Sequence, residues 1–356
     1  MNKRIIVSVV AIIIIAVLAY VGIVSPSSET QVIKIGVVAP LTGGGAAYGA
    51  TLAKGVELAV ADLVGKSTKY TYEVIVEDDT TNQATAASAA NKLIAIDKVK
   101  AIITTTSSTG NAVKNIAEKA GVIHVCDCTD VTIGNVPYNF TNGMTPVDEV
   151  PVWLGEAQRR GVKTIAVLEQ VHPGIKVITD EMVRIIPQYG IKIVYRDAFD
   201  GNVRDFKTIV SKAKASKPDL YYIGAFPPSL DIISKQFIDE GVKNLSTTAL
   251  FAASPEPKLY EGLWYSDSML ADPTFADVFA QKNPTLRFNV RAAPYGYDIF
   301  NMLVQSFEKE GDAVTNFKAI TAYDGKAGKV TKTPESSNFH TKASIWTIKD
   351  GKGVQI

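Results

Sequence analysis

Short, continuously apolar runs alternate along this chain with longer segments whose apolar residues recur every three or four positions. No other feature limits the possible folds as strongly, because it implies buried strands joined by helices. Residues 32–39 read as a first strand stopped by Pro40, and residues 51–66 place Leu52, Val56, Ala59, Val60 and Leu63 on one helix face. A strand at 72–76 follows, then a helix capped by Asn82 and running to 96, and a buried strand at 101–105. Ser107 or Ser108 opens the next helix, which stops at Gly121, and residues 122–125 form another strand. The rhythm restarts after Pro146 with a helix at 150–160. Strands at 164–168, 191–195 and 220–224 are each followed by a helix, and residues 247–251 form a further strand. A helix at 298–310 and a hairpin turned at Asp350 and Gly351 close the chain. Apolar strands linked by helices belong to parallel sheets covered on both faces. Two successive runs predict an α/β chain of two doubly wound, Rossmann-like lobes.

Length agrees, since 356 residues suit two domains of moderate size. A net charge of +1 provides no basic field for a nucleic-acid backbone, so no nucleic-acid partner is expected. Lys3 and Arg4 precede an apolar run over residues 5–24, the pattern of an export signal and long enough to span a bilayer. The basic flank stays inside and sends the remainder out of the cytoplasm, held by an N-terminal anchor or released after cleavage. Residues 1–30 therefore form the signal or anchor with its linker. Cys126 and Cys128 are read as two small, partly buried side chains, because a bridge across one residue is strained.

In parallel sheets, ligands gather at the carboxyl ends of the strands. The loops there carry the candidate residues. Residues 104–109 are six consecutive hydroxyl residues between a buried strand and a helix N-terminus. Free backbone N–H groups and the hydroxyls of Ser107 and Ser108 suit a ligand carboxylate there, although either serine alone could serve as a plain cap. Residues 40–49 form a glycine-rich loop in which Tyr48 can cover a ligand, or pack on its own lobe. The loop is neither G-x-G-x-x-G nor a P-loop, since Ala50 and Thr51 follow Gly49. Thr129 and Asp130 offer acceptors for an ammonium, with a turn or cap role equally open for Asp130. His172 lies in another such loop, while His124 falls inside a strand pattern and belongs to the core. No nucleophile–base pair or metal-ligand spacing occurs, so neither enzyme activity nor a metal or cofactor is expected.

The stretch IKIGVVAPLTG at 33–43, then Ala47, Tyr48 and Gly49, resembles the opening of type I periplasmic binding proteins, in particular the leucine/isoleucine/valine-binding class. Further matches are Glu77, Asp78 and Asp79, the hydroxyl turn at Ser107, residues 120–124 and 218–224, and Tyr297 with Asp298. The resemblance implies two lobes joined by a three-segment hinge that closes over the ligand. Its crossovers fall near Pro146, Ser268 and Thr331, giving residues 31–146 with 269–330 in one lobe and 147–268 with 331–356 in the other. It implies a monomeric binder that delivers an amino acid or related carboxylate to an ABC-type permease. Its residue matches place Ser107 on the ligand carboxylate, Tyr48 over the ligand, Thr129 and Asp130 on its polar end, and Phe226 and Tyr297 as aromatic contacts. The sequence departs from that class at Leu250, where such binders bring an acid to the ammonium. Either Asp130 supplies the charge, or the ligand is an organic acid or amide. An anchored sensing ectodomain is the other functional class consistent with these features.

Overall fold

The computed structural model describes residues 31–270 and 272–356, so the N-terminal apolar run lies outside the described residues. No helix among the described residues is long and apolar enough to cross a membrane. The chain begins with β1 (Val32–Ala39), α1 (Ala46–Ala61), β2 (Thr71–Asp78), α2 (Gln83–Ala95), β3 (Ala101–Thr105), α3 (Ser107–Ala120), β4 (Ile123–Asp127) and β5 (Asn139–Asn142). It then crosses to a second lobe comprising α4 (Pro146–Arg159), β6 (Thr164–Gln170), α5 (Pro173–Ile185), β7 (Lys192–Phe199), α6 (Lys207–Ala215), β8 (Leu220–Gly224), α7 (Ser229–Asp239), β9 (Leu245–Thr248), α8 (Leu250–Ala253) and β10 (Trp264–Ser268). A return crossing leads to α9 (Pro273–Lys282), α10 (Ala293–Glu308), α11 (Ala313–Lys318), β11 (Ala322–Gly325), β12 (Gly328–Thr331) and β13 (Asn338–Phe339). The last crossing ends in the hairpin of β14 (Ala343–Lys349) and β15 (Lys352–Gln355).

The first sheet has the order β13-β5-β4-β3-β1-β2 and the second β15-β14-β10-β9-β8-β6-β7. The cores of the two are the same doubly wound arrangement, with β6 in the place of β1. All pairings in the first sheet are parallel, and in the second only β14 and β15 run antiparallel to their neighbours. The strand order reverses between β1 and β3 and again between β6 and β8, which opens a crevice at the carboxyl ends of each pair.

Local chemistry sets the boundaries. The Asn82 side chain accepts from the N–H groups of Ala84 and Thr85, as a helix N-cap should. Gly121 ends α3 in the left-handed conformation at φ 64°. Helices α1 and α10 cross at Gly55, where a Cβ would stand 2.0 Å from the carbonyl oxygen of Ala293. That approach seats Leu52, Val56, Ile299, Phe300 and Leu303 in one core with Ile35 and Val37 of β1. Each such fully buried side chain contributes roughly 1.5–3 kcal/mol.

The helices expected at 51–66 and 298–310 begin five residues earlier, at Ala46 and Ala293, and three further features differ from expectation. The strand expected at 247–251 ends at Thr248, because Ala249 takes φ 54° and turns the chain into α8. The third crossover is not near Thr331. Residues 332–339 stay with the first lobe, where β13 pairs with β5, and the chain crosses only at 340–342. Cys126 and Cys128 form a disulfide with Cα atoms 5.4 Å apart, rather than standing as separate side chains. Residues two apart on a strand project to the same face, which brings the two sulfur atoms together.

Candidate functional site

The carboxyl ends of β1, β3 and β4 face those of β6, β8 and β9 across one cleft. A cavity of about 530 Å³, counting space open to solvent, lies between them. Its first-lobe wall is Tyr48, Thr105–Ser107, Asp127–Thr129, Met144 and Arg291; its second-lobe wall is built largely from His172, Ile175, Ile178, Phe226, Thr248 and Leu250. This mixture of an apolar body with a few convergent polar groups suits a small organic ligand.

The polar end is made by α3. Thr106, not Ser107 or Ser108, is its N-cap, with φ 68° and its hydroxyl accepting from the Thr109 N–H. Ser107 is thereby freed to turn into the cavity. Its Oγ lies 3.2 Å from Thr129 Oγ1 and accepts from the Asp130 N–H. The backbone N–H groups of Ser107 and Ser108 have no partner among the described residues. A helix N-terminus with free N–H groups favours an anion.

The apolar end is made by both lobes. Tyr48 meets Phe226 edge-on with centroids 5.9 Å apart, and His172 meets Phe226 edge-on at 4.9 Å. Burial pushes the Tyr48 phenol far up, so it stays neutral. Burial also holds His172 down at about 4, and its Nδ1 accepts from the Gly174 N–H, so the neutral ring carries its proton on Nε2. Thr129 donates to the Gly174 carbonyl at 3.2 Å. The lobes thus touch directly across the cleft.

Five sequence-derived candidates therefore share one cavity: Tyr48, Ser107, Thr129, His172 and Phe226. Three do not. Ser108 follows Ser107 on α3 but does not reach the wall. Asp130 caps the turn at Val131–Gly134, accepting from Thr132 and from Asn111 Nδ2. Burial raises its carboxyl, but those hydrogen bonds outweigh burial and leave it below the usual range. Tyr297 packs on Phe275 and donates to Asp62 on the first lobe, away from the cleft.

Sequence reasoning missed a buried charged group that reaches from the cavity wall, at Arg291 and Asp127, to Glu149 and Asp267 behind it. Arg291 Nη2 is 2.7 Å from Glu149 Oε1, and Nε is 3.4 Å from Asp267 Oδ1. Asp127 stands nearby on the cavity wall. Burial pushes Asp127 well above the carboxylate range, against the pull of Arg291. Burial pushes Asp267 up to about 7, with Arg291 opposing and Glu149 reinforcing the rise. An acid raised in the fold keeps a proton that the unfolded chain releases near pH 4, so its contribution to stability is full below that pH and is lost as pH rises toward 7. Urea unfolding between pH 4.5 and 8 should show a steeper fall for the wild type than for Asp267→Asn. Parallel profiles would mean that Asp267 does not hold the proton.

The sequence profile of the periplasmic binding protein family matches residues 32–352. A leucine-, isoleucine-, valine-, threonine- and alanine-binding protein of Pseudomonas aeruginosa is 25% identical over 317 residues, covering 84% of each chain. The leucine-binding protein LivK of Thermotoga maritima superposes with a TM-score of 0.82 at 20% identity, over 91% of this chain and 97% of that one. A solute-binding protein of an ABC transporter from Rhodopseudomonas palustris, solved with 4-hydroxybenzoate, superposes with a TM-score of 0.79 at 21% identity, over 92% and 96%.

Proposed function

This chain belongs to the periplasmic binding protein family, and we propose that it closes over a small apolar amino acid and delivers it to an ABC-type permease outside the cytoplasm. One observation carries the reading: both switch-point crevices open into the same cavity, with the hydroxyls and free N–H groups of α3 at one end and Tyr48 and Phe226 at the other. The α3 end suits a carboxylate, and the aromatic and aliphatic walls suit an apolar body. The amino-acid class is supported by the name of the Pseudomonas relative. We also propose that the chain binds without turning its ligand over, since the Ser107 hydroxyl is bonded to Thr129 and the Asp130 N–H, and no side-chain base hydrogen-bonds to it among the described residues.

A second reading, a carboxylic acid without an amine, is favoured by Leu250 on the second-lobe wall and by the 4-hydroxybenzoate in the Rhodopseudomonas protein. A thermal-shift screen of the full chain against amino acids and simple aromatic acids separates the two. Ligand at about 100 times its Kd adds about 2.7 kcal/mol to stability. For whichever acid binds, Ser107→Ala should weaken binding by about 1–2 kcal/mol, the loss of one hydrogen bond to a charged group. Unchanged affinity in titration calorimetry would remove the carboxylate from the α3 end.

A further inference from the structure

We infer that Asp127 receives the ammonium group of an α-amino acid ligand and so makes the site prefer amino acids over their deaminated counterparts. This rests on the reading above and adds the residue that sets the ligand class.

Position is the first ground. Asp127 is the last residue of β4 and sits opposite Thr105 of β3 in parallel register. Its carbonyl accepts from the Thr106 N–H at 3.2 Å, so its backbone adjoins the turn that opens α3. The ammonium and carboxylate of an α-amino acid hang from one carbon. Their partners in a binding site must therefore be neighbours, as Asp127 and Ser107 are on this wall. The disulfide between Cys126 and Cys128 brackets Asp127 and ties the backbone on both sides of it.

The second ground is a buried acid without a partner. Asp127 is 4% exposed yet lines the cavity. Its carboxylate has one hydrogen-bond donor among the described residues, the Thr105 hydroxyl at a long 3.5 Å, and no cation within ion-pair distance. The buried group at and behind this wall contains three acids, Asp127, Glu149 and Asp267, against one cation, Arg291, whose ion pairs go to Glu149 and Asp267. Glu149 Oε2 and Asp267 Oδ2 are buried without hydrogen-bond partners. Ionised, Asp127 would be a buried negative charge without a partner, which is strongly unfavourable, and a positive group on its cavity side would compensate that charge and let it ionise.

The third ground is the opposite wall. Leu250 and Phe226 face the cavity from the second lobe, and the acid expected from that side is absent. His172 is held neutral there. The acid is thus moved to the first lobe, three residues before the one that the sequence suggested.

The test is titration calorimetry on the full chain with matched pairs: leucine, phenylalanine and alanine against 2-hydroxy-4-methylpentanoate, phenyllactate and lactate. The wild type should bind at least one amino acid about 30-fold more tightly than its hydroxy acid, the factor expected of a hydrogen-bonded charge. Asp127→Asn should lose that preference, bringing the pair within about threefold, while Ser107→Ala weakens both members together. The wild-type comparison stands whether or not the variant folds. Equal binding of a pair by the wild type, or an Asp127→Asn variant that keeps its preference, would overturn the assignment and leave the carboxylate site intact. If no member of either set binds, the proposed ligand class itself fails, and the role of Asp127 with it.

Discussion

Replacing Arg291 with methionine is expected to destabilise the folded chain by about 3–5 kcal/mol, the penalty for removing one partner of a buried ion pair. The guanidinium comes from the first lobe, just ahead of α10, and reaches two carboxylates of the second lobe. Glu149 lies in the first turn of α4, directly after the first crossing, and Asp267 lies at the end of β10, directly before the second. Arg291 thus neutralises both at the level of the hinge. Its charge is secure, because Glu149 and Asp267 hold it protonated against the effect of burial. Methionine keeps much of the length and removes the charge, leaving two carboxylates in a region where Glu149 is 0% exposed. Urea unfolding at pH 7.5 should show the loss as a lower midpoint with an unchanged slope. Adding Glu149→Gln and Asp267→Asn to Arg291→Met should restore most of the stability, since an uncharged cluster has no charge left to compensate. A single variant within 1 kcal/mol of the wild type would mean that the cluster is already neutralised by protons.

This cluster is invisible in the sequence. Arg291 is more than 140 positions from Glu149, and no periodicity links them. Asp127 lies between two cysteines just beyond the strand read at 122–125, and the expected polar contacts fall instead on Thr129 and Asp130. The readable signal was its place at a strand's carboxyl end, the same signal that located Tyr48, Ser107, His172 and Phe226. The lobes themselves were legible because burial on both faces forces continuous apolar strands, and helix spacing then gives their order. Legibility failed where backbone conformation, not hydrophobicity, decides. Ala249 turns left-handed within an apolar run and ends β9 early. Thr106 takes the cap that either serine was expected to make. Residues 332–339 carry little apolar pattern, so their pairing with β5 through β13 could not be read, and the third crossover was placed too early. Tyr297 fails for another reason: a helix position was matched, but the face of α10 that bears it meets Asp62 rather than the cleft.

Gly174→Val should abolish tight ligand binding while leaving the stability of the ligand-free chain nearly unchanged. Gly174 is the second residue of α5 and is one point where the second lobe touches the first. A Cβ there would lie 3.2 Å from both Ser107 Oγ and Thr129 Oγ1, and the Gly174 carbonyl accepts from Thr129. Valine would place two further carbons beyond that Cβ, into the hydroxyl pair that forms the polar end of the cavity. Overpacking of this kind costs about 1–3 kcal/mol when the neighbours cannot yield. Here the lobes can yield by separating, so the strain falls on the closed state alone. Because only the closed state contacts a ligand from both sides, the strain subtracts from affinity rather than from folding. At the upper end of that range, binding weakens about a hundredfold. Titration calorimetry with the amino acid that gives the largest thermal shift reads the affinity, and X-ray scattering with and without that amino acid reads closure. The wild type should become more compact on saturation, and Gly174→Val should not. A variant that binds as tightly as the wild type would show that the contact between Gly174 and Thr129 is not part of the ligand-bound state. A variant that loses stability without ligand would place the strain in the second lobe's own packing.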